Sequence, residues 1–397
     1  MSDPPAIVSV GRTRFGEHYE REPEDLIEEA GLMALDSAGI ERKDLDACYI
    51  SDYFLQITNK IGIEEGFMSQ LLETHVPMEK MRSFSSAFTN ACHAIEAGKY
   101  DMVLVGGVEK MTDRWDKIRD DLMLLEDPWS YYAGCTPEAN HELLLREYVK
   151  KHGVSGDFEE LKMALALISV KNHRNALNNK FAQFRREVKL ESVLKARAHK
   201  PLGTYDFATV SDGATALILM RPEAAKKYTD SPIHVLACCS ATDYIVFPSR
   251  EDRTGFLASR IAMESALKMS NMSLKDLSIA EVYDQSTVLE MVALEDLGFS
   301  KQGEAWRHIR KSLESCTGPY ELDGSSLFVN TNGGLKADGN PLGATGGAQI
   351  FEVVRQLRGE AEEAQISVDG DLSFGCVQEI EGFGTKVYVH ILGSELA

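Results

Sequence analysis

The stretch with the clearest capacity for chemistry is a glycine-rich segment at residues 332–347, which reads NGGLKADGNPLGATGG. A helical pattern at residues 348–358 follows it directly. Glycines let a bound molecule approach the backbone closely, and the N–H groups at the start of a helix can hold an anion or an oxyanion. The segment therefore predicts an anion or oxyanion site, although glycine-rich turns before helices also serve purely structural roles.

A second candidate site is a concentration of positive charge at residues 171–200. Nine lysines and arginines and two glutamates give this stretch a local charge of +7 in a chain whose net charge is −20. Such a run is either a solvated helical face or a seat for a polyanionic small molecule such as a nucleotide phosphate. A nucleic-acid groove is disfavoured, because the positive charge is confined to one short stretch of an acidic protein.

Redox and metal chemistry find little support in the sequence. The seven cysteines are scattered without a Cys-x-x-Cys pair, and the 10 histidines show no metal-ligand spacing. We therefore expect no metal site, and reduced thiols in a cytoplasmic protein. The first residues lack the pattern of a secretory signal, and no apolar stretch reaches the roughly 20 residues of a membrane-spanning helix, so no membrane partner is expected.

The elements that must position these residues are those of a layered α/β protein. A chain of 397 residues with 44% apolar composition is long enough for two fused units or one large layered body. Apolar strands such as residues 100–108 alternate with helical patterns, which is typical of sheets covered by helices. Residues 111–204 interrupt this alternation; Thr136, Pro137 and Gly153 predict the N-cap, the first turn and the end of a helix there.

An internal repeat connects two distant parts of the chain. Residues 30–52 align without gaps on residues 262–284, at a constant offset of 232. Each copy reads as an amphipathic helix, a polar turn containing Lys-Asp-Leu, and an apolar strand that ends in Asp52 or Asp284. The shared order of elements predicts a duplicated structural unit.

As a whole string, the glycine-rich segment resembles the corresponding segment of the thiolase superfamily. Four further stretches resemble its sterol-carrier-protein-type and archaeal acetyl-CoA acetyltransferase branch; they are residues 104–113, 170–185, 211–219 and 293–299. Together these stretches cover nearly the entire chain in the family's order.

The resemblance implies an α/β thiolase fold, in which two similar halves form an α-β-α-β-α layered body with an inserted loop domain. It places the N-terminal half at residues 1–110 and 205–225, the loop domain at residues 111–204 and the C-terminal half at residues 230–397. The ligand that it implies is an acyl-CoA, with coenzyme A as part of the substrate and no covalently bound cofactor. A homodimer is implied as well, and this branch often works with a small zinc-ribbon and OB-fold partner protein.

The same resemblance implies which residues contact coenzyme A. The loop domain covers the ligand, so that Lys171, Arg185 and Arg186 of the basic run are expected near its phosphates. In the glycine-rich segment, Gly343 and Ala344 are expected to line the same ligand.

Two catalytic positions of the family carry other residue types in this chain. Ordinary thiolases use a histidine from a Gly-His-Pro motif, and this position is Asn340, which can line an oxyanion hole but cannot titrate. A second histidine position is Tyr283, a phenol with a reference pKa of about 10. Tyr283 either assists as an acid near a developing alkoxide or simply packs at the end of a strand.

The nucleophilic cysteine of the family has no counterpart here. Alignment from Pro77 places Ser85 at that position, whereas alignment from Asp101 places Met81 there. Cys92 is the nearby thiol, but it lies two turns into the predicted helix, as expected of a small buried residue.

The last loop of the chain offers carboxylates instead of an amide or a thiol. Residues 374–384 carry Glu379 and Glu381 at the turn where the family places such groups. A carboxylate in a partly apolar pocket acts as a general base with a raised pKa. The alternative is that both glutamates are solvated.

Three functions are compatible with these residues. The first is a thiolase-like enzyme that cleaves or forms a carbon–carbon bond in a CoA thioester as an aldolase does, without a cysteine nucleophile. The second is a β-ketoacyl-CoA thiolase or acyltransferase subunit that works with a partner chain. The third is a non-catalytic subunit that binds acyl-CoA or scaffolds another chain.

Overall fold

The computed structural model describes residues 4–114, 116–198, 200–313, 319–322, 325–368 and 372–396. In this part of the chain the strands are β1 (Ala6–Arg12), β2 (Ala47–Ser51), β3 (Met78–Met81), β4 (Met102–Glu109), β5 (Gly213–Met220), β6 (Ile233–Thr242), β7 (Ile279–Glu281), β8 (Tyr320–Leu322), β9 (Ser325–Val329), β10 (Phe374–Glu381) and β11 (Lys386–Gly393). The helices are α1 (Pro23–Ser37), α2 (Leu55–Thr58), α3 (Glu64–Leu71), α4 (Phe84–Glu96), α5 (Ile118–Leu122), α6 (Pro128–Tyr132), α7 (Ala139–Lys151), α8 (Phe158–Asn175), α9 (Leu190–Arg197), α10 (Pro222–Ala225), α11 (Leu257–Ser270), α12 (Thr287–Asp296), α13 (Ala305–Ser312), α14 (Gly334–Ala337) and α15 (Leu342–Arg358).

The strands form two five-stranded units with the same topology. Their orders are β3-β2-β4-β5-β1 and β9-β7-β10-β11-β6, with β8 added outside β9. In each unit the first three strands in this order run parallel to one another, and the remaining pairs are antiparallel. The units meet at β1 and β6 through a short antiparallel pairing. One copy of the internal repeat contains most of α1 together with β2, and the other copy contains most of α11 together with β7. The predicted duplication is therefore confirmed.

The two units stack around a middle layer of helices. This layer consists of α4 and α15, which pack against each other and against strands of both units. Their apolar side chains, such as Phe88 and Ile350, share one buried cluster with side chains from β4, β6 and β10. Each fully buried side chain of this size contributes about 1.5–3 kcal/mol. With α1 on one outer face and α11 on the other, the layers follow the expected α-β-α-β-α order.

The start of each middle helix is set by local chemistry. Ser83 precedes α4, and its side chain accepts a hydrogen bond from the Ser86 N–H at 3.2 Å. This is the usual way to satisfy a free N–H at a helix start. Pro341 precedes α15, and the helix ends at Gly359, which has a left-handed φ of 70°. Both helices therefore begin at the same end of the body, where the site lies.

Helices α5 to α9 lie between β4 and β5, as the interruption in the sequence predicted. The predicted start of α7 is wrong by two residues, because Thr136 and Pro137 form a preceding turn and the helix begins at Ala139. Its predicted end is confirmed, since Gly153 follows with a left-handed φ of 66°. The domain boundaries drawn from the family resemblance stay a prediction. Among the described helices, none combines the length and the apolarity required to span a bilayer.

Candidate active site

The carboxylate of Glu379 lies where the two middle helices begin. Glu379 belongs to β10, and its side chain is 1% exposed. Its Oε2 accepts a hydrogen bond from the Ser85 N–H at 2.6 Å, and its Oε1 accepts one from the Gly346 N–H at 3.2 Å. Ser85 is in the first turn of α4, and Gly346 is in the second turn of α15. The ends of two helix dipoles therefore favour a negative charge here.

The environment of Glu379 tunes its proton affinity. The pKa of Glu379 is raised to about 7, mainly because the carboxyl is buried; the hydrogen bonds from Ser85 and Gly346 lower it in part, and the nearby charge of Glu381 contributes to the rise. A carboxyl group with a pKa near neutrality is suited to accept and return a proton. A carboxylate with a raised pKa thus lies at this position, and its role as a general base stays a prediction.

Glu381 is the second carboxylate at the end of β10. Its Oε1 accepts a hydrogen bond from the Ser83 hydroxyl at 2.6 Å, and its Oε2 lies 3.3 Å from Arg82 Nη1. The side chains of Glu379 and Glu381 are both buried. The alternative in which both glutamates are solvated is therefore wrong, because each one is enclosed between β10 and the start of α4.

Tyr283 and Asn340 form the second pair of the site. The Tyr283 hydroxyl donates to Asn340 Oδ1 over a long distance of 3.5 Å, and the Thr345 hydroxyl donates to the same oxygen at 2.8 Å. The backbone N–H of Asn340 donates to Ser211 Oγ at 2.9 Å. Burial raises the pKa of Tyr283 above its ordinary value, and the charge of Glu379 adds to this effect. Tyr283 is thus a protonated hydrogen-bond donor. The side-chain NH2 group of Asn340 likewise stays available as a donor.

A small cavity lies between Tyr283 and the helices that are inserted between β4 and β5. Its lining residues come from both halves and from the inserted helices, and they are Tyr53, Leu122, Leu125, Glu126, Pro137, Tyr283, Gln285, Leu342, Ile380 and Gly382. Ser85, Asn340 and Glu379 are outside this set of lining residues. Tyr283 is therefore the predicted catalytic residue that a ligand in the cavity would touch.

The described thiols are engaged elsewhere. Cys92 is buried in the middle layer, where its sulfur lies 3.8 Å from that of Cys238. Cys376 is on β10 itself, but burial raises the pKa of its thiol to about 12. Among the described residues, no sulfur is hydrogen-bonded to Glu379 or Tyr283. Cys316 lies outside the described residues.

The predicted coenzyme A contacts of the basic run separate into two kinds. Lys171 is 2% exposed; its Nζ pairs with Glu290 Oε1 at 2.9 Å and donates to the Val329 carbonyl at 2.7 Å. A lysine in this position cannot reach a phosphate at the surface without breaking a buried ion pair, so its prediction as a phosphate contact is corrected. Arg185 and Arg186 are exposed and remain candidates.

The two predicted contacts in the glycine-rich segment fasten α15 to the first half. The Gly343 N–H donates to Glu109 Oε2 at 3.1 Å, and its carbonyl accepts from the Ser51 hydroxyl at 2.7 Å. Ala344 packs in a buried cluster with Phe15. These contacts correct the expectation that Gly343 and Ala344 line the ligand, because both are buried and their polar groups are directed at other parts of the chain.

Sequence reasoning missed Gly346 and Tyr53. A Cβ atom on Gly346 would lie 2.2 Å from Glu379 Oε2, so the glycine makes room for the carboxylate. Tyr53 follows Asp52, and the 232-residue offset makes it the counterpart of Gln285; both line the cavity. The signal for Tyr53 was therefore present in the repeat, since equivalent strand ends meet at the site.

Two family models match this chain in the order of its halves. The model for "Thiolase, N-terminal domain" matches residues 5–223, and that for "Thiolase C-terminal domain-like" matches residues 239–394. The chain belongs to the thiolase family. An "Acetyl-CoA acetyltransferase" of Methanothermobacter thermautotrophicus is 34% identical over 97% of this chain and 98% of the relative. "Sterol carrier protein 2" of Gallus gallus is 29% identical over 91% of this chain and 67% of the relative.

One solved structure shares the fold of this chain. The "Ltp2-ChsH2(DUF35) aldolase" superposes with a TM-score of 0.79 at 23% identity, and the match covers 99% of this chain and 98% of the other. Likeness at this identity demonstrates the thiolase fold. Within that fold, this thiolase-family chain has a glutamate carboxylate at the junction of the two middle helices.

Proposed function

We propose that this chain binds an acyl-CoA and cleaves or forms a carbon–carbon bond in a β-hydroxyacyl-CoA by an aldolase-like reaction, without a covalent acyl-enzyme. The observation that carries the proposal is the position of Glu379, whose carboxylate takes the N–H groups of Ser85 and Gly346 at the junction of α4 and α15. The family's nucleophile is expected at the start of α4, and Ser85 there has no histidine base among the hydrogen bonds of the described residues. A serine without a base is a poor nucleophile.

An aldol cleavage needs only acid/base groups and stabilisation of an enolate. The β-hydroxyl of the substrate loses its proton, the bond between the α and β carbons breaks, and its electron pair becomes the enolate of the thioester. The β carbon leaves as an aldehyde or a ketone, and the α carbon takes up the proton. One proton thus moves from oxygen to carbon, and no acyl group is transferred to the protein.

The residues of the site suit these steps. Tyr283 lines the cavity and is the acid that we assign to the β-oxygen, to which it donates a hydrogen bond. Glu379, whose pKa is about 7, is the base that we assign to take the hydroxyl proton and to return it to the α carbon. The amide of Asn340 donates to the thioester oxygen as negative charge develops on it.

Coenzyme A and partner chains complete the proposal. Arg185 and Arg186 are exposed in the basic run and are the groups that we assign to the coenzyme A phosphates. A homodimer is proposed from the family resemblance, and a cytoplasmic location from the scattered cysteines of the sequence. The solved aldolase is named for two components, Ltp2 and ChsH2, which supports a partner chain for this protein as well. That the partner is a small zinc-ribbon and OB-fold protein is proposed from the family resemblance.

A second candidate is an acyltransferase that works with a partner chain. It is favoured by the 34% identity to a relative that is named an acetyl-CoA acetyltransferase. In that case the catalytic thiol or its base would come from outside this chain, because Ser85 and Asn340 occupy the family's positions.

Product analysis separates these functions. The purified chain is incubated with a β-hydroxyacyl-CoA, and separately with acetoacetyl-CoA plus coenzyme A, and the products are identified by liquid chromatography and mass spectrometry. Release of an aldehyde or a ketone with the shortened acyl-CoA supports the proposal. Thiolysis of acetoacetyl-CoA supports the acyltransferase, and binding of coenzyme A without turnover supports a non-catalytic subunit.

A further inference from the structure

The part of the cavity wall that comes from the inserted helices carries a glutamate that the proposed reaction does not use. Glu126 lies between the helical turn Met123–Leu125 and α6 in the loop domain, and it lines the same cavity as Tyr283. Its Oε2 accepts a hydrogen bond from Asn140 Nδ2 at 2.7 Å. Asn140 is on α7 and is 2% exposed. Glu126 is therefore held in place by a buried amide.

The same amide has an unused acceptor. Asn140 Oδ1 is buried, and within the described ranges it has no hydrogen-bond partner. Buried polar atoms in folded proteins are nearly always paired, so an unpaired one calls for an explanation. Asn140 is outside the set of residues that line the cavity, so Glu126 is the polar group of this pair that a bound molecule would contact.

The other residues that line the cavity suit a small organic group. Leu122, Leu125, Leu342 and Ile380 supply apolar surface, and Gln285 supplies a further amide. The exposed surface of the wall is more polar than apolar, which favours an acyl group that carries a polar substituent. An unsubstituted alkyl chain would displace water from the Glu126 carboxylate without offering it a further donor, which is costly.

We propose that Glu126, held in place by Asn140, forms a recognition subsite for a hydroxyl group on the acyl chain, remote from the thioester. The substrate class is then an acyl-CoA with a hydroxyl-bearing acyl group rather than a plain fatty acyl-CoA. This inference rests on the proposed function, because it assumes that the acyl group of a CoA thioester occupies the cavity beside Tyr283.

Other charges around Glu126 are compatible with this role. The pKa of Glu126 is raised to about 7, mainly because of burial; the Asn140 hydrogen bond and the charge of Arg250 oppose this rise, and the charge of Asp127 adds to it. In either protonation state the carboxyl group keeps an oxygen that can accept from a hydroxyl group. A purely structural role, in which Glu126 only ties α7 to the turn before α6, would affect folding but would not discriminate between ligands.

Matched ligand pairs test the subsite by isothermal titration calorimetry. The probes are butanoyl-CoA against its ω-hydroxy derivative, and benzoyl-CoA against its meta- and para-hydroxy derivatives, with free coenzyme A as the reference. We expect at least one hydroxylated probe to bind the wild-type chain about tenfold or more tightly than its parent. The Glu126→Met variant should lose this preference and still bind the parent compounds.

Two further variants keep the test decisive. Glu126→Gln retains an acceptor oxygen and should retain part of the preference, whereas Glu142→Gln, on the exposed side of α7, should leave all affinities unchanged. Equal affinities within every pair for the wild-type chain, or a preference that survives in Glu126→Met, would overturn the subsite. Failure to bind coenzyme A and every acyl-CoA would instead contradict the proposed function, and the subsite with it.

Discussion

The backbone N–H of Ser85 donates a 2.6 Å hydrogen bond to Oε2 of Glu379, and this contact joins the two halves of the molecule. Ser85 starts a helix that follows β3 of the first half, whereas Glu379 belongs to β10 of the second half. One of the two alignments with the family expects its nucleophile at Ser85, and the other expects it at Met81. The carboxylate accepts N–H groups from both middle helices beside the first of these positions.

The duplicated halves differ at this position. The strand registers make Gly107 in β4 the counterpart of Glu379, because Leu104 and Cys376 pair with residues that are 232 positions apart in the repeat. A Cβ atom on Gly107 would lie 2.2 Å from the Gly343 carbonyl oxygen, so a large side chain has no room in the first half. The carboxylate is therefore a feature of the second half alone.

Substitution of Gly346 should disrupt the Glu379 contacts. In Gly346→Ala the new Cβ would meet Glu379 Oε2 at 2.2 Å, so either the carboxylate or α15 has to move. We expect a loss of about 1–3 kcal/mol in the free energy of unfolding, measured by urea denaturation, together with loss of aldol turnover. The matched control is Gly31→Ala in α1, where nothing lies within 4 Å of the new Cβ and the helix should gain about 0.5–1 kcal/mol. Equal effects of the two substitutions would contradict the crowding at Gly346.

The titration of Glu379 should appear in the stability of the protein. Burial raises its pKa from about 4.5 to about 7, so the unfolded chain ionises at a lower pH than the folded one. Its stabilising contribution is complete below about pH 4.5 and is lost as the pH rises through about 7, with a total of about 3 kcal/mol. Glu379→Gln should therefore show a smaller fall in the free energy of unfolding between about pH 5 and 8 than the wild-type chain. Parallel pH dependences of the two proteins would show that the carboxyl is not buried as described.

Tyr283→Phe tests the acid/base role of the phenol. The substitution removes the hydroxyl but keeps the ring, which is buried among apolar neighbours. We expect cleavage of a β-hydroxyacyl-CoA to fall by about a hundredfold or more, with little change in coenzyme A binding. Tyr244→Phe serves as the control, because Tyr244 is exposed, and it should retain full turnover. Unchanged turnover in Tyr283→Phe would remove the phenol from the mechanism.

Cys92→Ala tests whether a thiol takes part in the reaction. The residue is buried in the middle layer beside Cys238, so the loss of its sulfur should cost about 1 kcal/mol of stability. Turnover of a β-hydroxyacyl-CoA should remain at the wild-type level. A folded variant without activity, as judged by circular dichroism and product analysis, would show that the nearby thiol is catalytic.

The sequence predicted the architecture well because the relevant signals are local and repeated. The helix, turn and strand of residues 30–52 recur at residues 262–284, and the structure places both copies at equivalent positions. The predicted start of α7 was wrong because Thr136 and Pro137 suit a turn as well as the start of a helix. The neighbouring backbone decides between the two.

The site was harder to predict because it depends on long-range contacts. Ser85 and Glu379 are 294 residues apart, and no local pattern signals that a carboxylate would accept N–H groups from two helices. The charge pattern marked Lys171 as one of nine surface cations, whereas the fold buries it against Glu290. Burial and pairing of polar groups are decided by tertiary structure, and composition along the chain does not reveal them.

The most direct test of the aldolase-like mechanism is whether an acyl group is ever attached to the protein. The chain is incubated with acetoacetyl-CoA or with the acyl-CoA that it is found to turn over, quenched in acid, and examined by intact-protein mass spectrometry followed by peptide mapping. We predict that the mass of the protein stays unchanged during turnover of a β-hydroxyacyl-CoA. An acyl group on Ser85 or on any cysteine, formed and discharged at the rate of turnover, would contradict this mechanism.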